Sequence, residues 1–77
     1  MLQVLPFLFW KNAVDHRYFY EGPVLEFGRL VAEHWRGETI ASSKRKARSN
    51  LAYQFKQATN RTPRTKIIVP GELEIID

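Results

Sequence analysis

The chain reads as a small α+β domain, a sheet of short strands packed against one firm helix, and three observations predict this. Apolar residues recur at clean helical spacing over one capped stretch, about 43–58. Short aromatic and β-branched runs bounded by Gly, Pro or Asp lie on either side of it, as strands require. Finally, 77 residues with 44% hydrophobic content supply one core in one small domain spanning 1–77.

Val4-Leu5-Pro6-Phe7-Leu8-Phe9-Trp10 is the most apolar run and reads as a buried strand or a dimer contact. It falls well short of the roughly 20 residues that span a bilayer. It also lacks the positive n-region and small-residue cleavage site of a secretory signal. Arg17-Tyr18-Phe19-Tyr20, between Asp15 and Gly22-Pro23, reads as a strand.

Two readings of the next stretch stand side by side. At about 100° per residue, Glu26, Arg29, Glu33 and Arg36 share one side of a helix over 23–36, with Val24, Phe27, Val31 and Trp35 opposite. Pro23 suits its first turn, and Gly37 the position after its last. The alternative is a β-hairpin over 24–41 that turns near Gly28-Arg29; Gly28 inside a helix favours it. The helix is preferred, with Phe27 and Trp35 as core residues.

Ser42 or Ser43 caps the 43–58 helix, and Ala47, Leu51, Phe55 and Ala58 form its inward stripe. Asn60 through Pro63 ends the pattern. Lys66 to Ile76 reads as strand, bend and strand, with Pro70-Gly71 marking a kink or edge position. Glu72 and Glu74 alternate with Leu73 and Ile75, so one face of the last strand is wet.

Charge carries the functional signal. Between Thr39 and Gly71 lie eight Lys or Arg residues and no acid, so the net +4 hides about +8 on one segment and −4 elsewhere. Such a segment favours a polyanion, because phosphates neutralised by cations release condensed counterions. Opposite the apolar stripe the helix presents Lys46, Ser49, Asn50, Tyr53 and Gln57, with Arg45 and Lys56 on the flank. Cations would hold phosphates, while Asn50, Tyr53 and Gln57 reach bases or sugars. Lys44 and Arg48 join the grip, and Arg61, Arg64 and Lys66 continue the strip as outer contacts.

The bland alternatives are a solvated face or an acidic protein partner. Four bases near a helix start oppose its dipole, which makes solubility alone a poorer account. Tyr53 reads equally as exposed or as packed beneath the C-terminal strands.

Other chemistries lack a pattern. There is no cysteine, so no disulfide or thiolate metal site exists, and a reducing, cytoplasmic setting fits. His16 and His34 have no ligand-spaced companions. No nucleophile elbow or Gly-rich phosphate loop occurs, and nothing selects Glu21 or Glu38 as general acid or base. The chain is read as a non-enzyme without metal or cofactor.

Two resemblances add to this. Glu21-Gly22-Pro23, Phe27, Gly37-Glu38 and Ser43-Lys44-Arg45-Lys46-Ala47-Arg48 resemble double-stranded-RNA-binding domains, in which a similar helix start grips phosphates across a groove. That likeness implies phosphate roles for Lys44, Arg45, Lys46 and Arg48, and it supports the hairpin over 24–41. The chain departs from that family in lacking an evident first helix and in continuing past the basic helix.

Separately, Trp35 to Ser43, Lys46-Ala47-Arg48-Ser49-Asn50-Leu51 and Tyr53-Gln54-Phe55-Lys56 resemble small uncharacterised phage and integrative-element proteins of Gram-positive bacteria, over about half of the chain. This implies a mobile-element setting. The expected function is a small module binding DNA or RNA through the phosphate backbone. The alternative is a protein–protein adaptor or homo-oligomer, with a homodimer formed through the apolar N-terminus.

Overall fold

A computed structural model describes residues 15–76, so the Val4–Trp10 run and any dimer contact through it lie outside the described residues. The elements are β1 (His16–Glu26), β2 (Arg29–Ala41), α1 (Lys44–Ala58), β3 (Ile67–Ile68) and β4 (Leu73–Ile75). The four strands among the described residues join one antiparallel sheet with β1 at its centre; β2 pairs along one side, β3 and β4 along the other. The fold is α+β, as expected.

The preferred helix over 23–36 does not form. The same residues belong to a hairpin, larger than the alternative reading allowed, that runs from His16 to Ala41. Its two-residue loop is Phe27-Gly28, at φ 48° and 84°. Positive φ at both positions is the turn geometry whose twist matches flanking strands. The misleading periodicity has a physical origin. Pairing shifts register between Gly22 and Val24, and again between Val24 and Leu25. Each irregularity inserts an extra residue into β2, as a bulge does. Partners therefore step from Trp35 to Ala32 to Leu30, so the inward-facing Ala32 and Trp35 stand three residues apart and the two-residue period is broken. Phe27, expected in the core, sits at the turn and is 64% exposed.

The pairings of β3 and β4 with β1 share a single register, Leu25 opposite Ile68 and Tyr20 opposite Leu73. Counting inward from either end brings Pro23 opposite Pro70. Neither proline has an N–H to give a ladder, so the strand is interrupted there. Tyr20 bridges the gap. Its fully buried side chain donates from the hydroxyl to the Pro23 carbonyl at 2.6 Å and accepts the Gly71 N–H at 3.1 Å.

The core lies between α1 and one sheet face. Ala47, Leu51 and Phe55 pack with Tyr18, Tyr20, Val24, Ala41, Ile67, Val69 and Leu73. Ala58, expected on this stripe, is exposed at the helix end. Trp35 meets the Phe55 ring edge-on at 5.5 Å and covers Gly37, where a Cβ would come within 2.6 Å of the indole. Leu73 is buried and Glu72 and Glu74 are exposed, as the alternation predicts; Ile75 is half exposed beyond the helix.

Candidate nucleic-acid interface

Ser43 begins α1 in extended conformation, and its hydroxyl accepts the Lys46 N–H at 3.2 Å. This caps one of the orphan donors of the first turn. That turn holds no acid, and Lys44, Arg45 and Lys46 all project into solvent. The inward stripe fixes this outcome, since burying Ala47, Leu51 and Phe55 turns the cations outward.

Ion pairs among the described residues lie mainly along the hairpin. Arg17 reaches Glu38 at 3.8 Å, Arg36 reaches Glu21 at 3.9 Å, and His34 bonds Glu21. The His34 hydrogen bond, with the charge of Arg36 nearby, holds the Glu21 carboxyl below its usual range. Phe19 pairs with both Glu38 and Glu74, so these acids share the sheet face opposite the helix. The sheet thus stands between them and the cations of α1.

Within the 39–71 strip, among the described residues, Arg61 alone pairs with a carboxylate. Its guanidinium bonds Glu26 at 3.0 and 3.2 Å and lies 5.1 Å from the Phe55 ring centre. Arg48 is also engaged, donating to the carbonyls of Val69 at 2.5 Å and Gly71 at 2.8 Å. With Tyr20 it fastens the proline bend. Lys56 donates to the Pro63 carbonyl at 3.1 Å, which closes the loop after the helix. Lys44, Arg45, Lys46, Arg64 and Lys66 are exposed, and their charged heads have no hydrogen-bond or ion-pair partner among the described residues.

The polar reading groups also divide. Asn50 donates to the Thr39 hydroxyl at 3.1 Å, while Gln54 donates to the Glu38 carbonyl at 2.9 Å, so both tie the helix to β2. Gln57 donates to the Tyr53 hydroxyl at 3.0 Å, and Tyr53 is 57% exposed on the outer face. The structural bonds of Arg48 and Arg61 had no local signal, because their partners lie 21 and 35 residues away.

Among the described residues no three His, Asp or Glu side chains gather as metal ligands, and no helix is long and apolar enough to cross a membrane. No family model, curated protein or solved structure matches the chain.

Proposed function

We propose that this domain is a small nucleic-acid-binding module that holds phosphates with the exposed cations of α1 and the loop after it. The observation that carries the reading is the state of those cations. Five of the eight in the strip are exposed without a partner among the described residues, and one alone is matched to a carboxylate. Exposed cations on a helix, with Glu38 and Glu74 on the far face of the sheet, are what a polyanion meets most favourably. Lys44, Arg45, Lys46, Arg64 and Lys66 carry the grip; Arg48 and Arg61 shape the surface that presents them, and Lys56, with one donor on the Pro63 carbonyl, keeps donors for a phosphate beside them. The resemblance to phage and mobile-element proteins fits a setting in which DNA or RNA is handled.

A salt titration tests the reading. Each phosphate neutralised contributes about 0.9 to the slope of log affinity against log salt on duplex DNA, and about 0.7 on single strands. Replacing Lys44, Arg45 and Lys46 together by Ala lowers that slope by roughly 2–3. An affinity for DNA and RNA that barely changes between low and physiological salt rejects the proposal.

The second reading, an adaptor or homo-oligomer, has one observation in its favour. Among the described residues, strand β2 lies at the edge of the sheet, with Leu30 54% and Ile40 58% exposed along it. Sedimentation of nuclease-treated protein decides between them: a stable dimer indifferent to DNA and RNA favours the adaptor.

A further inference from the structure

Alongside α1, on the side facing β3, runs a shallow groove of about 450 Å³. Ala52, Ile67 and Val69 give it an apolar lining, Tyr53 stands at its wall, and Lys56 and Lys66 flank it; no acid contributes. The groove therefore combines three features: an aromatic face, an apolar slot beside it, and cations at the rim.

We propose that this groove receives an unpaired base of a single-stranded nucleic acid, stacked on Tyr53, with the flanking phosphates held by Lys56 and Lys66. The inference rests on the nucleic-acid reading above and names its substrate class. Three arguments lead to it. First, Gln57 one turn along holds the Tyr53 hydroxyl at 3.0 Å, so the ring is oriented before any ligand arrives. A rigid, half-exposed aromatic offers a flat face to any base, whatever its sequence. Second, Lys56 spends one donor on Pro63 at 3.1 Å; an ammonium has three, so capacity for phosphate remains. Third, a duplex cannot use the slot. Its bases are stacked on one another and offer only their edges in the grooves, whereas a single strand turns whole faces outward.

Fluorescence anisotropy tests this with a labelled DNA strand of roughly 12 nucleotides, its duplex, the matching RNA strand and an abasic strand of equal length. The single strands, DNA or RNA, bind more tightly than the duplex. Tyr53→Ala weakens single-strand binding by about ten-fold or more, and the abasic strand loses a similar factor. Because stacking releases no counterions, the salt slope of Tyr53→Ala stays near that of the parent. Tyr53→Phe keeps the ring and stays within about two-fold of the parent. Far-UV circular dichroism confirms that both variants are folded.

Duplex bound as tightly as single strand overturns the inference. So does a Tyr53→Ala variant with undiminished single-strand affinity, while loss of binding in the Lys44/Arg45/Lys46 variant would leave the phosphate grip standing without the groove. Polyglutamate that competes as well as the single strand also overturns it, since the groove would then respond to charge alone. Absence of binding to every nucleic acid removes both proposals.

Discussion

Replacing Tyr20 by Phe removes a single oxygen from the middle of the sheet, and the structure sets the size of the effect. The ring is fully buried, and Phe refills its space, so no apolar packing is lost. What disappears is a hydroxyl that donates to the Pro23 carbonyl and accepts the Gly71 N–H. A buried polar group left without its partner costs about 1–3 kcal/mol. Gly71 is only half-buried and Pro23 is exposed, so water recovers part of this and the net loss is about 2 kcal/mol. For a domain of this size that lowers Tm by roughly 8–16 °C. Urea unfolding should shift its midpoint without changing its slope, since the surface exposed on unfolding is the same. The Gly71 amide should also exchange with solvent faster than in the parent. A loss below about 0.5 kcal/mol, with Gly71 still protected, would refute the idea that this hydroxyl stands in for the ladder bonds the facing prolines cannot make.

Two further outcomes follow from single residues. Phe27 holds φ 48° beside Gly28 while 64% exposed, a backbone position that suits Asn far better than an aromatic. Phe27→Asn should raise stability by up to about 1 kcal/mol, measured by thermal melting; a fall in Tm would mean that the ring packs more than its exposure implies. Glu21 has its carboxyl pKa lowered by His34, so the stability it contributes is present above the ordinary value of 4.5 and is lost as pH falls through the lowered folded value. Melting curves of Glu21→Gln should show a weaker loss of stability across that acid window than the parent, and parallel curves would remove Glu21 from the acid response.

How far the sequence disclosed this molecule depends on whether the decisive partners are local. Helix α1 was legible because its cap at Ser43 and its stripe of Ala47, Leu51 and Phe55 all lie within one stretch. The hairpin was obscured because the bulges in β2 set its inward residues Ala32 and Trp35 three apart, a helix-like spacing. The tail was legible as strand, bend and strand, yet not that its two pieces form one interrupted strand, which depends on Pro23 and Pro70 meeting across the sheet. The basic strip could be counted but not sorted. Arg48, fastened to Val69 and Gly71, and Arg61, paired with Glu26, look in the sequence no different from Lys44 or Arg64.

The two rims of this sheet are unlike. On the β3–β4 side the strands are two and three residues long, with an exposed proline between them. A third strand arriving there finds too few donors and acceptors to zip onto. On the β2 side the run is thirteen residues, with Gln54 occupying the Glu38 carbonyl near one end. Among the described residues, an edge long enough for strand addition is therefore found on one side only. Two molecules joined rim to rim through β2 would show the outside only their blunt sides, and growth would stop at a pair instead of continuing into a fibre.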